Sequence, residues 1–242
     1  MTLTYDPKKA LRHVRRRDPI LKRLIDKVGP YELESRRGSH KSLARAIFFQ
    51  QLAGPAARAI MGRVLVALEA DEDTWYEPAR FLQATDEQLR TAGLSRMKIT
   101  YLRDLADKFA SGALTEDEFH DLNDEEVIKR VTEVKGIGRW TAEMFLMFSL
   151  GRPDIMPVDD LGVRNGMKIV YGLDEPPKAD KMREIAEPWA PYRSVGTWYM
   201  WRALGVEVPE QGKGYKRKDE RKYEPQGSFA NDPPNVANHC NF

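Results

Sequence analysis

The sequence predicts an all-α fold. Apolar residues recur at helical spacing along nearly the whole chain, helix start and stop signals bracket those stretches, and nowhere is there the apolar/polar alternation of a half-buried strand. With 242 residues the chain can bury one sizeable core or two small lobes.

Asp18-Pro19 opens a first helix, with proline in the first turn where its missing N–H is no loss, and Val28-Gly29-Pro30 closes it. A polar loop from Glu32 to Ser39 leads to a long helical pattern, His40 to Leu68. Gly54-Pro55 splits that pattern, since proline is tolerated in a first turn but not in mid-helix. Thr85-Asp-Glu-Gln88 has the spacing of a capping box, Gly93-Leu94-Ser95 separates two further helices, and Thr115 to Phe119 is a short helical start. Asn123 is the expected N-cap of the next helix, with Asp124, Glu125 and Glu126 complementing its dipole and Val127, Ile128, Val131 and Val134 forming its apolar face. A glycine turn at 135–140 precedes an almost wholly apolar helix from Arg139 to about Leu150, which is therefore expected to be buried. Leu161 to Tyr171, Asp180 to Trp189 and Ser194 to Leu204 complete the set. From Gly212 the chain is polar and expected to be a disordered tail.

Composition narrows the function classes. No run of eighteen apolar residues is present and the N-terminus, Met1 to Arg17, has no apolar signal region, so neither a membrane span nor a signal peptide is expected. A single cysteine, Cys240, excludes an intramolecular disulfide and a four-cysteine iron–sulfur cluster, and fits a reducing compartment. The four histidines, His13, His40, His120 and His239, share no ligand spacing, and His40 reads as a surface residue. The net charge of +2 comes from the residues after Gly212, leaving the rest neutral. Attraction for a polyanion must then be local. A candidate is the run Lys8, Lys9, Arg12, Arg15, Arg16, Arg17, Lys22 and Arg23, which faces only Asp18 and is equally a solvated helix face.

The most telling stretch is Lys135-Gly136-Ile137-Gly138-Arg139-Trp140, followed by the apolar helix and then by Pro157-Val158-Asp159-Asp160. Gly136 and Gly138 allow a sharp turn and close approach of a partner, and the amides that open the next helix point outward as anion donors. On the residues alone the glycines are equally a tight connector, and Asp159-Asp160 an ordinary N-cap pair.

Gly-Ile-Gly-Arg-Trp-Thr-Ala at 136–142, Phe49-Gln50-Gln51-Leu52, Gly93-Leu94-Ser95 with Lys98, and Trp189-Ala-Pro-Tyr-Arg-Ser194 followed by Trp201 resemble, in this order, the helix-hairpin-helix (HhH-GPD) superfamily of DNA base-excision glycosylases, and most of all its 3-methyladenine DNA glycosylase II branch. The resemblance covers most of residues 15–206. It implies two helical lobes with a DNA-binding cleft between them, in one domain over 1–211 with a lobe of about 45–118 inserted into the other, and a tail at 212–242.

The resemblance also implies roles. Lys135, Gly136, Ile137, Gly138 and Arg139 would bind DNA phosphate. Asp160 is the matching catalytic aspartate: glycosidic cleavage develops positive charge on the sugar, and a carboxylate on the sugar's far face stabilises it. Asp159 would then cap the helix that follows. Leu52, with Gln51, matches the wedge that fills the gap when a nucleotide is extruded. Trp140 and Trp201 match the tryptophans of the base pocket, where a cationic alkylated purine gains from stacking, with Trp198 and Met144 as further lining. Met144 and Arg202 stand where a close branch has tyrosines, which leaves the lesion range open. The lyase lysine of bifunctional relatives is replaced by Trp140, which cannot form an imine, so a monofunctional hydrolase that leaves an abasic site is expected. No cofactor is required. A structural Na+ or K+ could be held by the carbonyls of Thr132, Val134 and Ile137. The partner is double-stranded DNA with damaged bases, met by a monomer inside the cell, in the cytoplasm of a bacterium or the nucleus of a eukaryote. A DNA-binding module without activity and a glycosylase/lyase are the alternatives.

Overall fold

The computed structural model describes residues 3–33, 39–52 and 54–205. In chain order these form α1 (Pro7–Arg17), α2 (Pro19–Val28), α3 (His40–Phe49), α4 (Gly54–Ala67), α5 (Pro78–Gln83), α6 (Asp86–Thr91), α7 (Arg96–Ala110), α8 (Glu118–Asp121), α9 (Asp124–Thr132), α10 (Arg139–Phe148), α11 (Leu161–Tyr171), α12 (Ala179–Ala186), a 3-10 turn (Glu187–Trp189) and α13 (Arg193–Ala203). No strand occurs among the described residues, and none of their helices is long and apolar enough to cross a membrane. The fold is all-α, as the sequence predicts.

The helices fall into two compact units. Among the described residues, the first holds α1, α2 and the segment from Gly151 to the end of α13; the second holds those between, to Leu150. The second unit is thus wider than the expected lobe of 45–118, because α10 packs on α3 and α9 and so joins the inserted segment. The expected tail at 212–242 lies outside the described residues.

In the first unit, α11 packs along α13, and α2 against both. The approach of α11 and α13 requires glycine: a Cβ on Gly166 would stand 2.2 Å from the Met200 carbonyl oxygen, and one on Gly196 would stand 2.1 Å from the Trp189 ring. Asp18 is buried at the centre of this unit. Its Oδ1 accepts the Ile20 and Leu21 amides at 2.9 Å, capping α2, while Oδ2 accepts Trp189 Nε1 at 2.8 Å and the Tyr171 hydroxyl. One carboxylate thereby joins α2, the end of α11 and the 3-10 turn.

Burial pushes the Tyr5 phenol up to about 12, and Tyr31, Tyr171 and Tyr199 of the same unit are raised for the same first reason. An unfolded tyrosine ionises near pH 10. The folded state keeps protons that the unfolded state loses, so this contribution is complete below about pH 10 and declines as the pH climbs toward 12. The melting temperature is expected to fall across that window, with the phenolate absorbance of these four tyrosines appearing at the unfolding transition rather than before it. A phenolate signal that titrates fully near pH 10 in the folded protein would contradict this.

In the second unit, α7 is the central helix, packed against α3, α5 and α6. Capping boxes at Thr85/Gln88 and Asn123/Glu126 fix the starts of α6 and α9. Residues Thr141 to Met147 of α10 are all buried, as expected of a helix that is apolar nearly all round. Phe145 meets Phe119 edge-on at 5.3 Å, which seats α10 on α8.

Candidate active site

Asp160 is 2% exposed and is the N-cap of α11: its Oδ1 accepts the Val163 amide at 2.7 Å and Trp201 Nε1 at 2.8 Å. Two donors from two helices thus fix the orientation of this carboxylate. Asp159, expected to be the cap, is instead exposed. The expectation divided capping and chemistry between neighbouring acids; the turn in which the Asp160 amide bonds the Pro157 carbonyl at 3.1 Å gives the cap to Asp160 itself.

The start of α13 braces the chain that leads to this turn. Ser194 Oγ donates to the Arg152 carbonyl at 2.7 Å and accepts the Ile155 amide at 3.0 Å, and Thr197 Oγ1 donates to the Ile155 carbonyl at 3.1 Å. Arg193 pairs with Asp154 at 2.8 Å and donates its own amide to the same carboxylate. These braces were not legible as such, because Ser194 and Thr197 find their partners about forty residues away in sequence.

Trp201, at 6% exposure, lies against the first turn of α11, where a Cβ on Gly162 would stand 2.9 Å from its Cδ1. Trp198 is equally buried, with Tyr31 edge-on at 5.2 Å, Tyr199 at 4.8 Å and the Arg202 guanidinium 4.6 Å over its ring. Arg202 therefore covers Trp198 by a cation–π contact. Tyr31 escaped sequence reading; a lone tyrosine after Gly29-Pro30 carries no pattern.

The remaining predicted residues belong to the second unit. Gly136 takes φ +82°, and a Cβ there would stand 2.1 Å from the Tyr101 ring. Gly138 has φ −93° with nothing near its Cβ position, so the space above it is open. Asp104 of α7 receives the Lys135 amide at 2.9 Å and lies 3.7 Å from its ammonium, and Gln50 Nε2 donates to the Gly136 carbonyl at 2.9 Å. The hairpin is thus held from α7 and from the end of α3. Gly136→Ala is expected to lower stability by about 1–3 kcal/mol through overpacking against Tyr101 and a strained backbone. Gly138→Ala should melt close to wild type, and thermal unfolding of the two variants checks the contrast.

The Arg139 guanidinium, expected to meet phosphate, is engaged within the chain. It forms a two-pronged pair with Glu125 and donates through Nε to Glu143 Oε1 at 3.1 Å; the Glu125 bond is the first cause that holds the guanidinium above its ordinary value. The ligand within the chain is Glu125 of α9, so Arg139 joins α9 to α10. Trp140 is 36% exposed one residue further on, whereas Met144 is buried. His40, expected at the surface, is mostly enclosed: its Nδ1 lies 2.6 Å from Glu116, and its ring meets Tyr76 and Phe109.

After α3, Gln51 takes the left-handed conformation, φ +56°, and Leu52 is half-buried rather than part of the core. An apolar side chain left outside the core next to a strained residue suits a role toward a partner. Lys98 of α7 donates to the Phe48 carbonyl at 2.5 Å, one turn before this strained residue, and burial brings its ammonium down to about 8.

The chain matches the family described as HhH-GPD superfamily base excision DNA repair protein over residues 44–191. It belongs to that superfamily. DNA-3-methyladenine glycosylase 1 of Schizosaccharomyces pombe is 36% identical over 198 residues, 80% of this chain and 86% of the relative. The fission-yeast 3-methyladenine DNA glycosylase Mag1, solved in complex with abasic DNA, superposes with a TM-score of 0.70 at 37% identity over 80% of this chain and 95% of the other. A DNA-3-methyladenine glycosidase of Bacillus halodurans gives a TM-score of 0.74 at 36% identity, over 84% of this chain and 92% of its own. The chain is accordingly a DNA glycosylase, a hydrolase of the N-glycosyl bond, and DNA is its partner.

Proposed function

We propose that the protein is a monofunctional glycosylase that extrudes an alkylated purine of the 3-methyladenine or 7-methylguanine type from duplex DNA and releases it by hydrolysis. The observation that carries this reading is Asp160, a buried carboxylate oriented by the Val163 amide and Trp201 Nε1. The bond from C1′ to the base nitrogen breaks with its electron pair leaving on the base, and water supplies the oxygen that bonds to C1′. Asp160 stabilises the positive charge that develops on the sugar and orients that water. Trp140 in place of the lyase lysine supports hydrolysis over strand cleavage. Leu52 and Gln51 fill the vacated stack, Trp140, Trp201, Met144 and Trp198 serve the extruded base, and Lys135 with the amides after Gly136 meets phosphate. Thr132 ends α9, where carbonyls lack intrahelical partners, so its oxygen together with those of Val134 and Ile137 would hold a monovalent cation, which would supply positive charge near phosphate and take no part in the chemistry. The protein acts as a monomer.

The test is single-turnover base release from DNA carrying 3-methyladenine, 7-methylguanine, ethenoadenine or hypoxanthine, with borohydride trapping alongside. Release of alkylpurines without a trapped adduct supports the reading; a trapped adduct would make the protein a lyase. Duplex binding with no release from any of the four substrates would overturn the reading.

A further inference from the structure

We propose that one face of α1 is a second phosphate-binding site, separate from the hairpin and carried by the first unit. Lys9, Arg12, His13 and Arg16 follow one another at helical spacing and, with Pro191 and Tyr192, line an open pocket of about 560 Å³. Two other cations of this stretch, Arg15 and Lys22, both pair with Asp26. Asp18, the acid that the sequence sets against them, faces inward to cap α2 and to bind Trp189 and Tyr171. Among the described residues, Lys9, Arg12 and Arg16 make no ion pair. Asp6 caps α1 through the Lys8 and Lys9 amides and lies close enough to Arg12 to feel its charge.

This arrangement disfavours the free helix. Lys9 and Arg12 are three apart and Arg12 and Arg16 four apart, spacings at which like charges repel, and Lys9 sits in the first turn, where the helix dipole opposes a cation. A bound anion relieves both effects. His13 adds a directional group: its Nε2 is buried with no hydrogen-bond partner, while its ring stands edge-on to Tyr192 at 5.3 Å. Two guanidiniums, an ammonium and an imidazole around an aromatic floor suit a phosphate carried on a sugar. In a DNA glycosylase that phosphate is a phosphodiester of the bound strand, a step that rests on DNA as the partner and not on the choice of lesion. A free nucleotide offers the same chemistry, and the test separates the two.

The test measures affinity for a duplex carrying an abasic-site analogue across a salt series, for wild type and for Lys9→Gln/Arg12→Gln/Arg16→Gln. Loss of this site is expected to lower the slope of log K against log salt by about 2–3 and to weaken binding roughly tenfold or more at moderate salt. Single-turnover excision at saturating DNA should be unchanged. Arg12→Lys/Arg16→Lys, which keeps the charge, should hold most of the slope, and melting curves exclude misfolding as the cause. An unchanged slope combined with stabilisation of wild type, but not the triple variant, by adenosine monophosphate or inorganic phosphate would assign the site to a free phosphate. An unchanged slope with no such stabilisation overturns the proposal. Because binding is read without excision, the result stands whether or not alkylpurines prove to be the substrate.

Discussion

Asp160→Asn is expected to slow base release by at least about 10²-fold, the scale seen when one group that stabilises transition-state charge is removed. The geometry makes asparagine the informative replacement. Its side-chain oxygen can still accept the Val163 amide and Trp201 Nε1, so the cap of α11 and the contact to α13 survive, and only the negative charge is lost. Melting temperature and affinity for an abasic-site duplex should therefore stay near wild type, since that charge is needed only as the sugar becomes cationic. Asp160→Ala is different in kind: it removes the cap as well, at a further cost of about 0.5–2 kcal/mol in stability. Asp159→Asn, on an exposed residue without the cap, should change neither. Excision by Asp160→Asn at the wild-type rate would leave Asp160 as a structural cap and transfer the chemistry elsewhere.

The helices were legible because their signals are local. The proline after Asp18, the break at Gly54-Pro55 and the capping box at Thr85 each act within a turn or two of chain, and the helices expected from them fall within a few residues of those observed, whereas α1 and α5 were not expected. The membership of the two units was less legible, because it depends on which helices α10 packs against, and its apolar surface offers every direction alike. At the site, the resemblance chose Asp160 for the chemistry and left the cap to Asp159, whereas the cap is Asp160, since both residues of an acidic pair satisfy the same pattern. The ion pair of Arg139 was not legible for a related reason. Sequence shows a cation beside a glycine turn, but its pairing with Glu125 depends on α9 and α10 lying side by side. Asp18 shows the limit most plainly: its place at the opening of a helix was legible, but its burial against Trp189 and Tyr171 depends on partners more than 150 residues away.

Trp201 is expected to show two separable losses, because the structure gives it a task besides the proposed stacking. Its Nε1 donates to Asp160, and its ring fills the space against Gly162. Trp201→Ala opens a cavity in the contact between α11 and α13, with an expected cost of about 3–5 kcal/mol in stability. That variant is therefore a poor probe of chemistry. Trp201→Phe keeps most of the ring and removes the N–H, so Asp160 loses one of the two donors that orient it. A hydrogen bond to a charged group is worth about 1.5–3 kcal/mol, so excision should slow by roughly ten- to a hundredfold for every base alike. Stacking on a cationic purine adds a loss that neutral hypoxanthine does not share, up to about 1–2 kcal/mol for a desolvated contact and smaller with phenylalanine retained. The ratio of single-turnover rates for 3-methyladenine and hypoxanthine separates the two. A common loss with the ratio unchanged would make Trp201 a positioning residue for Asp160, and selectivity would then rest on Trp140 or on the weaker glycosidic bond of the alkylated base. A changed ratio without the common loss would mean that the bond to Asp160 contributes nothing to the rate.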